Sequence, residues 1–176
     1  MKARIATTWL DGCSGCHMSL LDMDEGLVDL AGKIDLVYSP LVDVKEFPEK
    51  VDVTLVEGVV NNTGEVEKIR HIRERTKILV SLGDCAVTCN VPSMRNAWKR
   101  DQVLQRAYVE NAQHDPQVPS EVIPPLLTRA HAIHEIVQVD VFLPGCPPPT
   151  NAIVFALGEL LEGRLPDLST LTRFGK

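Results

Sequence analysis

The sequence predicts an α/β fold built around a parallel β-sheet. Short apolar runs rich in Val, Ile and Leu alternate along the chain with longer stretches that have apolar residues at helical spacing. One run, residues 77–82, is almost continuously apolar, which is typical of a strand buried on both faces of a parallel sheet. Strands that alternate with helices in this way indicate a doubly wound sheet.

The hydrophobic pattern predicts the following elements. The predicted strands are residues 2–10, 34–38, 51–57, 77–82 and 136–143. The predicted helices are residues 17–31, 63–74, 92–108, 126–134 and 151–162, the last with Thr150 as its N-cap. Four prolines between residues 111 and 125 predict an extended loop there. The expected strand order is the flavodoxin-like 2-1-3-4-5.

Length and composition fit one soluble globular domain. The chain has 176 residues, of which 44% are hydrophobic and 24% charged. It is long enough to bury a proper core, and with no internal repeat or linker we predict one domain over residues 1–176. The net charge of −6 argues against nucleic-acid binding, which usually requires a basic face. No apolar run approaches the roughly 18 residues of a membrane span, so no membrane contact is expected.

The first residues favour a cytoplasmic location. Lys2 and Arg4 precede only a short apolar stretch, which ends at the polar Asp11 and is too short for the core of a secretory signal. Thiols stay reduced in the cytoplasm. The five cysteines of the chain therefore indicate metal binding or catalysis before disulfides.

Four of these cysteines follow predicted strands. Cys13 and Cys16 lie after the first strand, Cys85 after the fourth and Cys146 after the fifth. The carboxyl ends of parallel strands meet at one edge of the sheet, where ligands bind near the switch in strand order. The four thiols should converge there, and four cysteine thiolates are the usual ligands of an iron–sulfur cluster.

Glycines beside the cysteines support this interpretation. Gly12, Gly15 and Gly145 relieve backbone crowding in the loops of Cys13, Cys16 and Cys146. Gly83, two residues before Cys85, places a glycine in that loop as well. They also free backbone amides to donate hydrogen bonds to sulfide and thiolate sulfur, which helps to set the reduction potential. We therefore predict that Gly12, Gly15 and Gly145 contribute to cofactor binding.

Other uses of the cysteines explain less of the pattern. Packing as a small hydrophobe suits one cysteine, but not four at strand ends beside glycines. Structural zinc usually takes paired C-x-x-C knuckles, and this chain has one. A redox-active C-x-x-C of thioredoxin type leaves Cys85 and Cys146 without a role. Cys89, four residues after Cys85, is interpreted as a core residue or a neighbour of the cluster rather than a ligand.

The cysteine loops resemble those of the small subunit of nickel–iron hydrogenases. The matching motifs are CSGC at 13–16, VEG at 56–58, GDC at 83–85 and PGCPP at 144–148. The likeness extends over essentially the whole chain. It implies a flavodoxin-like domain in which Cys13, Cys16, Cys85 and Cys146 bind one 4Fe–4S cluster at the carboxyl edge of the strands.

Two differences from related proteins indicate which class of hydrogenase small subunit the chain resembles most. The related cluster subunit of respiratory complex I has adjacent cysteines at the first site, whereas Ser14 and Gly15 separate Cys13 from Cys16 here. Standard uptake hydrogenases carry an export signal and a C-terminal multi-cluster extension, but no cysteine follows Cys146. The chain is therefore most similar to the small subunit of cytoplasmic, bidirectional NAD-reducing hydrogenases.

This resemblance implies an electron relay in reversible dihydrogen oxidation. The nickel–iron centre would lie in a large partner subunit, because this chain lacks the paired cysteine motifs that a nickel site needs. Electrons would pass through the cluster to diaphorase subunits with flavin and further iron–sulfur clusters. FMN at the same edge is the weaker alternative cofactor, since the cluster and the large subunit compete for that surface and no nucleotide-binding motif is present.

Three carboxylates near the cysteines have open roles. Glu57, which ends the third strand, is a candidate proton relay or modulator of the potential, with a helix-capping or interface carboxylate as the alternative. Asp11 and Asp84 flank cysteines and are interpreted as solvated loop residues before loop-orienting ones.

Two other functions also stay open: a free-standing iron–sulfur or flavin carrier, and a complex I-type quinone-site cluster subunit. A free carrier should have a mostly polar surface around its cofactor, whereas an obligate subunit should expose a large apolar patch.

Overall fold

A computed structural model of the protein describes residues 2–173, so the ends of the predicted domain, residues 1 and 174–176, lie outside the described part. The strands are β1 (Ala3–Trp9), β2 (Ile34–Tyr38), β3 (Val51–Glu57), β4 (Val60–Asn62), β5 (Thr76–Leu82), β6 (Leu126–His131) and β7 (Val141–Leu143). Five of them form a parallel sheet in the order β2-β1-β3-β5-β7. The strands β4 and β6 pair separately from this sheet. When the five sheet strands are numbered along the chain, their order is 2-1-3-4-5, which confirms the predicted doubly wound α/β fold.

Helices cover both faces of this sheet. They are α1 (Gly15–Leu21), α2 (Gly26–Lys33), α3 (Thr63–Arg75), α4 (Gly83–Thr88), α5 (Arg100–Gln105) and α6 (Thr150–Leu161). Successive side chains of a strand point to opposite faces, so Ile5 joins the core that contains Ile153 of α6, while Ala6 joins the core that contains Ile69 of α3. No helix within residues 2–173 is long and apolar enough to cross a membrane.

The predicted helix over residues 17–31 is interrupted in the structure. α1 ends at Leu21 and α2 begins at Gly26, with a turn between them. Asp24 in this turn has a left-handed backbone with φ of 49°, which ends the regular helical hydrogen bonding. The apolar spacing predicts both helices correctly but does not reveal the turn.

The predicted helix over residues 92–108 is also divided. A 3₁₀ turn at Val91–Ala97 precedes α5, and a wider π turn follows at Arg106–Glu110. Trp98 has an extended backbone (φ −123°, ψ 159°), so it separates the 3₁₀ turn from α5. Residues 111–125 contain neither helix nor strand, as the prolines predict.

The prediction of a helix over residues 126–134 is wrong. The chain forms β6 there, paired antiparallel with β4, and a short 3₁₀ turn follows at Ile133–Glu135. The buried Ala130 and Ile133 have a spacing that also suits a helix. Pairing with a strand from far earlier in the chain decides the outcome, and local spacing does not reveal that partner.

The last strand and helix differ in detail from their predictions. Only Val141–Leu143 of the predicted strand over residues 136–143 is regular. Pro149, not Thr150, is the N-cap of α6. The Thr150 hydroxyl instead donates to the carbonyl oxygen of Ser19 at 3.0 Å, which ties α6 to α1 beside the cysteine loops.

Candidate metal centre

The structure brings the four predicted cysteines to the carboxyl edge of the sheet. Cys13 lies in the loop after β1, Cys16 in the first turn of α1, Cys85 in the first turn of α4 and Cys146 in the loop after β7. The thiolates of the other three are each close enough to raise the pKa of Cys16 by repulsion. Those of Cys146 and Cys13 also raise the pKa of Cys85. The four thiols therefore lie close together at this edge of the sheet.

The four thiols divide into an inner and an outer pair. Cys16 is buried and Cys85 is half-buried, whereas Cys13 and Cys146 are exposed. Burial is the largest cause that raises the pKa of Cys16 far above its usual range and the pKa of Cys85 to about 11. Both inner residues are therefore protonated thiols at neutral pH in the metal-free chain, and metal binding must release their protons.

Two glycines make room for the sulfurs of Cys13, Cys16, Cys85 and Cys146, here called the cage. A Cβ built on Gly83 would lie 2.2 Å from the Cys16 sulfur, and Gly83 has a φ of +84° that L side chains rarely adopt. A Cβ on Gly15 would lie 3.3 Å from the Cys13 sulfur. The sulfurs therefore occupy the space that side chains would fill at these positions.

The other predicted cofactor-binding glycines contact backbone. Gly12 packs against the Cα of Gly58, 3.3 Å from its built Cβ, so it allows the first cysteine loop to approach the end of β3. A Cβ on Gly145 would lie 2.5 Å from the Cα of Pro148. Both positions shape the loops, and their hydrogen bonding to a cofactor stays a prediction.

Asp84 connects two cysteine loops directly. Its backbone N–H donates to the Gly145 carbonyl oxygen at 2.8 Å, and the Gly145 N–H donates to its Oδ1 at 2.7 Å. Asp84 is buried, so the interpretation as a solvated carboxylate is wrong and the loop-orienting alternative describes it. These reciprocal bonds fix the loop of Cys146 to that of Cys85. Asn90 Nδ2 also donates to the Cys146 sulfur at 3.4 Å.

Glu57 forms a buried pair with His17. Both side chains are 2% exposed, and Glu57 Oε2 lies 2.5 Å from His17 Nδ1. The same oxygen accepts from the His17 backbone N–H at 2.9 Å, which satisfies a free donor in the first turn of α1. The helix-capping alternative describes these contacts, and the proton relay stays a prediction. His17 Nε2 is buried with no hydrogen-bond partner in the described structure.

Cys89 lies in a small apolar cluster that borders the four cysteines. It is buried with Val59, Ala130 and Ala132, and Cys85 packs against this cluster. Burial raises the pKa of Cys89 to about 11. This environment agrees with the interpretation as a core residue that neighbours the metal centre.

The donor set fits a polynuclear cluster. Within residues 2–173, no three His, Cys, Asp or Glu side chains converge on a single metal ion. In a 4Fe–4S cluster each iron takes one cysteine, so the four sulfurs surround a group of ions rather than one. The four converging thiols would suit such a cluster, and Gly83 and Gly15 leave space beside two of the sulfurs.

The sequence reasoning gave helix capping by Glu57 and loop orientation by Asp84 only as alternatives, and it did not identify their partners. A carboxylate that ends a buried strand, opposite a loop that opens a helix, is a signal for capping and could have indicated the Glu57–His17 pair. The Asp84–Gly145 bonds have no comparable signal, because their partners lie 61 positions apart.

Residues 13–160 match the family profile described as NADH ubiquinone oxidoreductase, 20 Kd subunit. The chain therefore belongs to this family of small redox subunits. Within the family it is 41% identical to the delta subunit of the NAD-reducing hydrogenase HoxS of Cupriavidus necator, over 98% of this chain and 86% of that protein. It is 37% identical to a subunit of the vhu F420-non-reducing hydrogenase of Methanocaldococcus jannaschii, over 97% of this chain but only 60% of the relative.

A solved structure agrees with these relatives. The fold matches a chain in the crystal structure of an NAD+-reducing [NiFe]-hydrogenase in the H2-reduced state, with a TM-score of 0.94 and 40% identity over 99% of both chains. The resemblance drawn from the cysteine motifs is thereby confirmed.

Proposed function

We propose that the chain is the electron-transfer small subunit of a nickel–iron hydrogenase in the cytoplasm. It relays electrons through one 4Fe–4S cluster, between a nickel–iron centre in a large subunit and an NAD(P)-linked diaphorase. The observation that carries this proposal is the convergence of four thiols at the carboxyl edge of the sheet. Similarity to subunits of NAD-reducing and F420-non-reducing hydrogenases supports it.

The chain's own residues would hold and shield the cluster. When bound, the cluster supplies one-electron redox chemistry. Cys16, which is buried, and Cys85, which is half-buried, would hold it from the protein side, where Gly83 leaves room. Cys13 and Cys146 would hold it from the exposed side, where a partner can approach. The side-chain Nδ2–H of Asn90, which donates to the Cys146 sulfur, would stabilise negative charge there and so favour a reduced cluster.

Metal analysis tests this proposal. The full chain is purified anaerobically together with its large subunit. We expect about five iron and four sulfide ions per subcomplex, one iron of which belongs to the nickel–iron centre of the large subunit, and an EPR signal of the cluster on reduction with dihydrogen. Flavin with no sulfide, and with no iron beyond that of the nickel–iron centre, would contradict the proposal and favour a flavin carrier.

The surface beside the cage favours an obligate subunit over a free-standing carrier. Val91, Met94 and Trp98, here called the Trp98 patch, are 62%, 67% and 60% exposed. Val91 and Met94 lie in the 3₁₀ turn that directly follows Asn90, which contacts Cys146, and Trp98 follows the turn. A free carrier would present a polar surface here. We infer that the Trp98 patch contacts the large subunit, because electron entry requires that partner beside the outer cysteines.

Trp98→Glu is expected to weaken assembly with the large subunit by about tenfold or more, because an aromatic anchor is lost and a charge is buried. Co-purification at several subunit concentrations measures the effect. Val28→Glu is the matched control, since Val28 is 75% exposed on α2, at the other edge of the sheet. Equal loss in both variants would contradict the assignment of the patch.

Glu57→Gln tests the proton relay. The glutamine keeps the size of the side chain and an oxygen that accepts from the His17 N–H, but it cannot carry a proton. If Glu57 relays protons, proton–dihydrogen exchange by the complex falls by about a hundredfold, while the cluster is retained. Full exchange in this variant would remove the relay and leave Glu57 as a helix cap.

A further inference from the structure

A hydrogen-bonded hub joins the first cysteine loop to the 3₁₀ turn at Val91–Ala97. Its centre is Asn61 of β4, which is 7% exposed. Asn61 Nδ2 donates to Asp11 Oδ2, and Asn61 Oδ1 accepts from both Nε (2.8 Å) and Nη2 of Arg95. The Asn61 backbone N–H donates to Glu65 at 2.6 Å. The side-chain oxygen and nitrogen of this buried amide are therefore both occupied.

The turn that carries Arg95 is itself held firmly. Arg95 Nη2 donates to the Leu127 carbonyl oxygen of β6 at 3.1 Å. The Asn96 side chain exchanges two hydrogen bonds with the Ala130 backbone, at 3.0 and 2.7 Å. Arg95 therefore transmits the position of β6 to Asn61 and, through it, to Asp11.

Asp11 is the last anchored residue before Cys13. Its backbone forms a two-bond bridge with Val59, with N···O distances of 3.2 and 2.9 Å, and Gly12 follows directly. Cys13 is exposed, so packing restrains it less than it restrains the buried Cys16. The side-chain bond from Asn61 to Asp11 therefore contributes strongly to where the loop delivers Cys13.

The same turn reaches the second outer cysteine. Asn90, directly before the turn, donates to the Cys146 sulfur at 3.4 Å. Residues 90–97 thus connect to both loops of the outer pair, to Cys146 through Asn90 and to the Cys13 loop through Arg95, Asn61 and Asp11. The sheet edge alone does not provide this link, because β1 and β7 are not neighbours in it.

We propose that Asn61 and Arg95 are positioning residues that fix Cys13 relative to Cys146 and thereby set the retention and the reduction potential of the cluster. This inference rests on the proposed function, because it requires a cluster on the four cysteines. It assigns a role in the metal centre to two residues that lie outside the cysteine motifs.

Asn61→Asp is the sharpest test. The substitution keeps the shape and the acceptor for Arg95, but it places a carboxylate against the Asp11 carboxylate in place of a donor. In the purified complex we expect about tenfold faster cluster loss to an iron chelator, since a hydrogen bond to a charged group is lost, and a shifted reduction potential. The double variant Asn61→Asp with Asp11→Asn restores a donor–acceptor pair and should return both quantities toward wild type.

Arg95→Lys is the second variant, and Arg100→Gln its matched control. Lysine keeps the positive charge but cannot span Asn61 and β6 as the guanidinium does. Arg100 also donates to a β6 carbonyl oxygen, that of Leu126 at 3.3 Å, but its contacts do not include Asn61. We expect faster cluster loss and a shifted potential in Arg95→Lys, and wild-type values in Arg100→Gln.

The outcomes separate the two proposals. A wild-type chain that holds no cluster overturns the proposed function itself. A wild-type chain that holds a cluster, with unchanged potential and loss rate in both Asn61→Asp and Arg95→Lys, overturns only the positioning role. A lower melting temperature with an unchanged potential also overturns it, because it shows a purely structural contribution.

Discussion

Cys85→Ala is expected to abolish the cluster, while Cys89→Ala keeps it. The two cysteines lie one helical turn apart, the Cys89 N–H donates to the Cys85 carbonyl oxygen at 2.9 Å, and each thiol has a pKa of about 11. Thiol chemistry therefore does not distinguish them. The neighbouring residues distinguish them. Cys85 lies close enough to Cys146 and Cys13 for their thiolates to raise its pKa, whereas Cys89 packs among Val59 and two alanines.

The measurement is iron content and the EPR signal of the purified complex, followed by dihydrogen-dependent reduction of NAD. For Cys85→Ala we expect a loss of cluster affinity of more than about a hundredfold, since even residues that only support metal ligands contribute ten- to a hundredfold. Cys89→Ala should cost about 1 kcal/mol of folding stability and retain the signal. Loss of the cluster in Cys89→Ala with retention in Cys85→Ala would reassign the ligand.

The sheet and the cysteine convergence were predictable because both follow from short-range patterns. Buried parallel strands are recognised from continuous apolar runs, such as residues 77–82. Once strands are placed, the parallel order puts the residues that follow them at one edge, whatever the intervening helices do. The strand positions therefore predict that Cys16 and Cys85 lie at the same edge of the sheet.

The features that the sequence did not predict depend on long-range pairing. β6 exists because β4 offers it a partner, and its own residues also suit a helix. Asp84 was interpreted as solvated because its partner, the Gly145 amide, belongs to another loop. The Asn61 hub joins segments near residues 11, 61 and 95 in the same way. Polar side chains of this kind reveal their role only when the loops are placed in space.

Gly83→Ala is expected to damage the metal centre severely. Its methyl group would lie 2.2 Å from the Cys16 sulfur, which is well inside van der Waals contact, and the backbone φ of +84° is strained for alanine. Strain of about 1–3 kcal/mol and overpacking of about 1–3 kcal/mol add together. Because Cys16 is buried, its sulfur has little room to move, and we expect the cluster to be lost along with stability.

Two control glycines separate the causes of this effect. Gly163 has a similar φ of +77° but no atom within 4 Å of its built Cβ, so Gly163→Ala carries the backbone strain without the overpacking. Gly158 lies inside α6 with equally open space, so Gly158→Ala should stabilise the fold by about 0.5–1 kcal/mol. Both should retain full iron content, because neither residue belongs to the cysteine loops.

Chemical denaturation of the metal-free chain and iron analysis of the complex together decide the cause. If Gly83→Ala loses stability only as far as Gly163→Ala does and keeps its iron, the Cys16 sulfur does not lie against Gly83 when the cluster is bound. If it loses more stability and its iron, the missing side chain of Gly83 is a requirement of the cage, because the sulfur of a buried ligand occupies the space of that side chain.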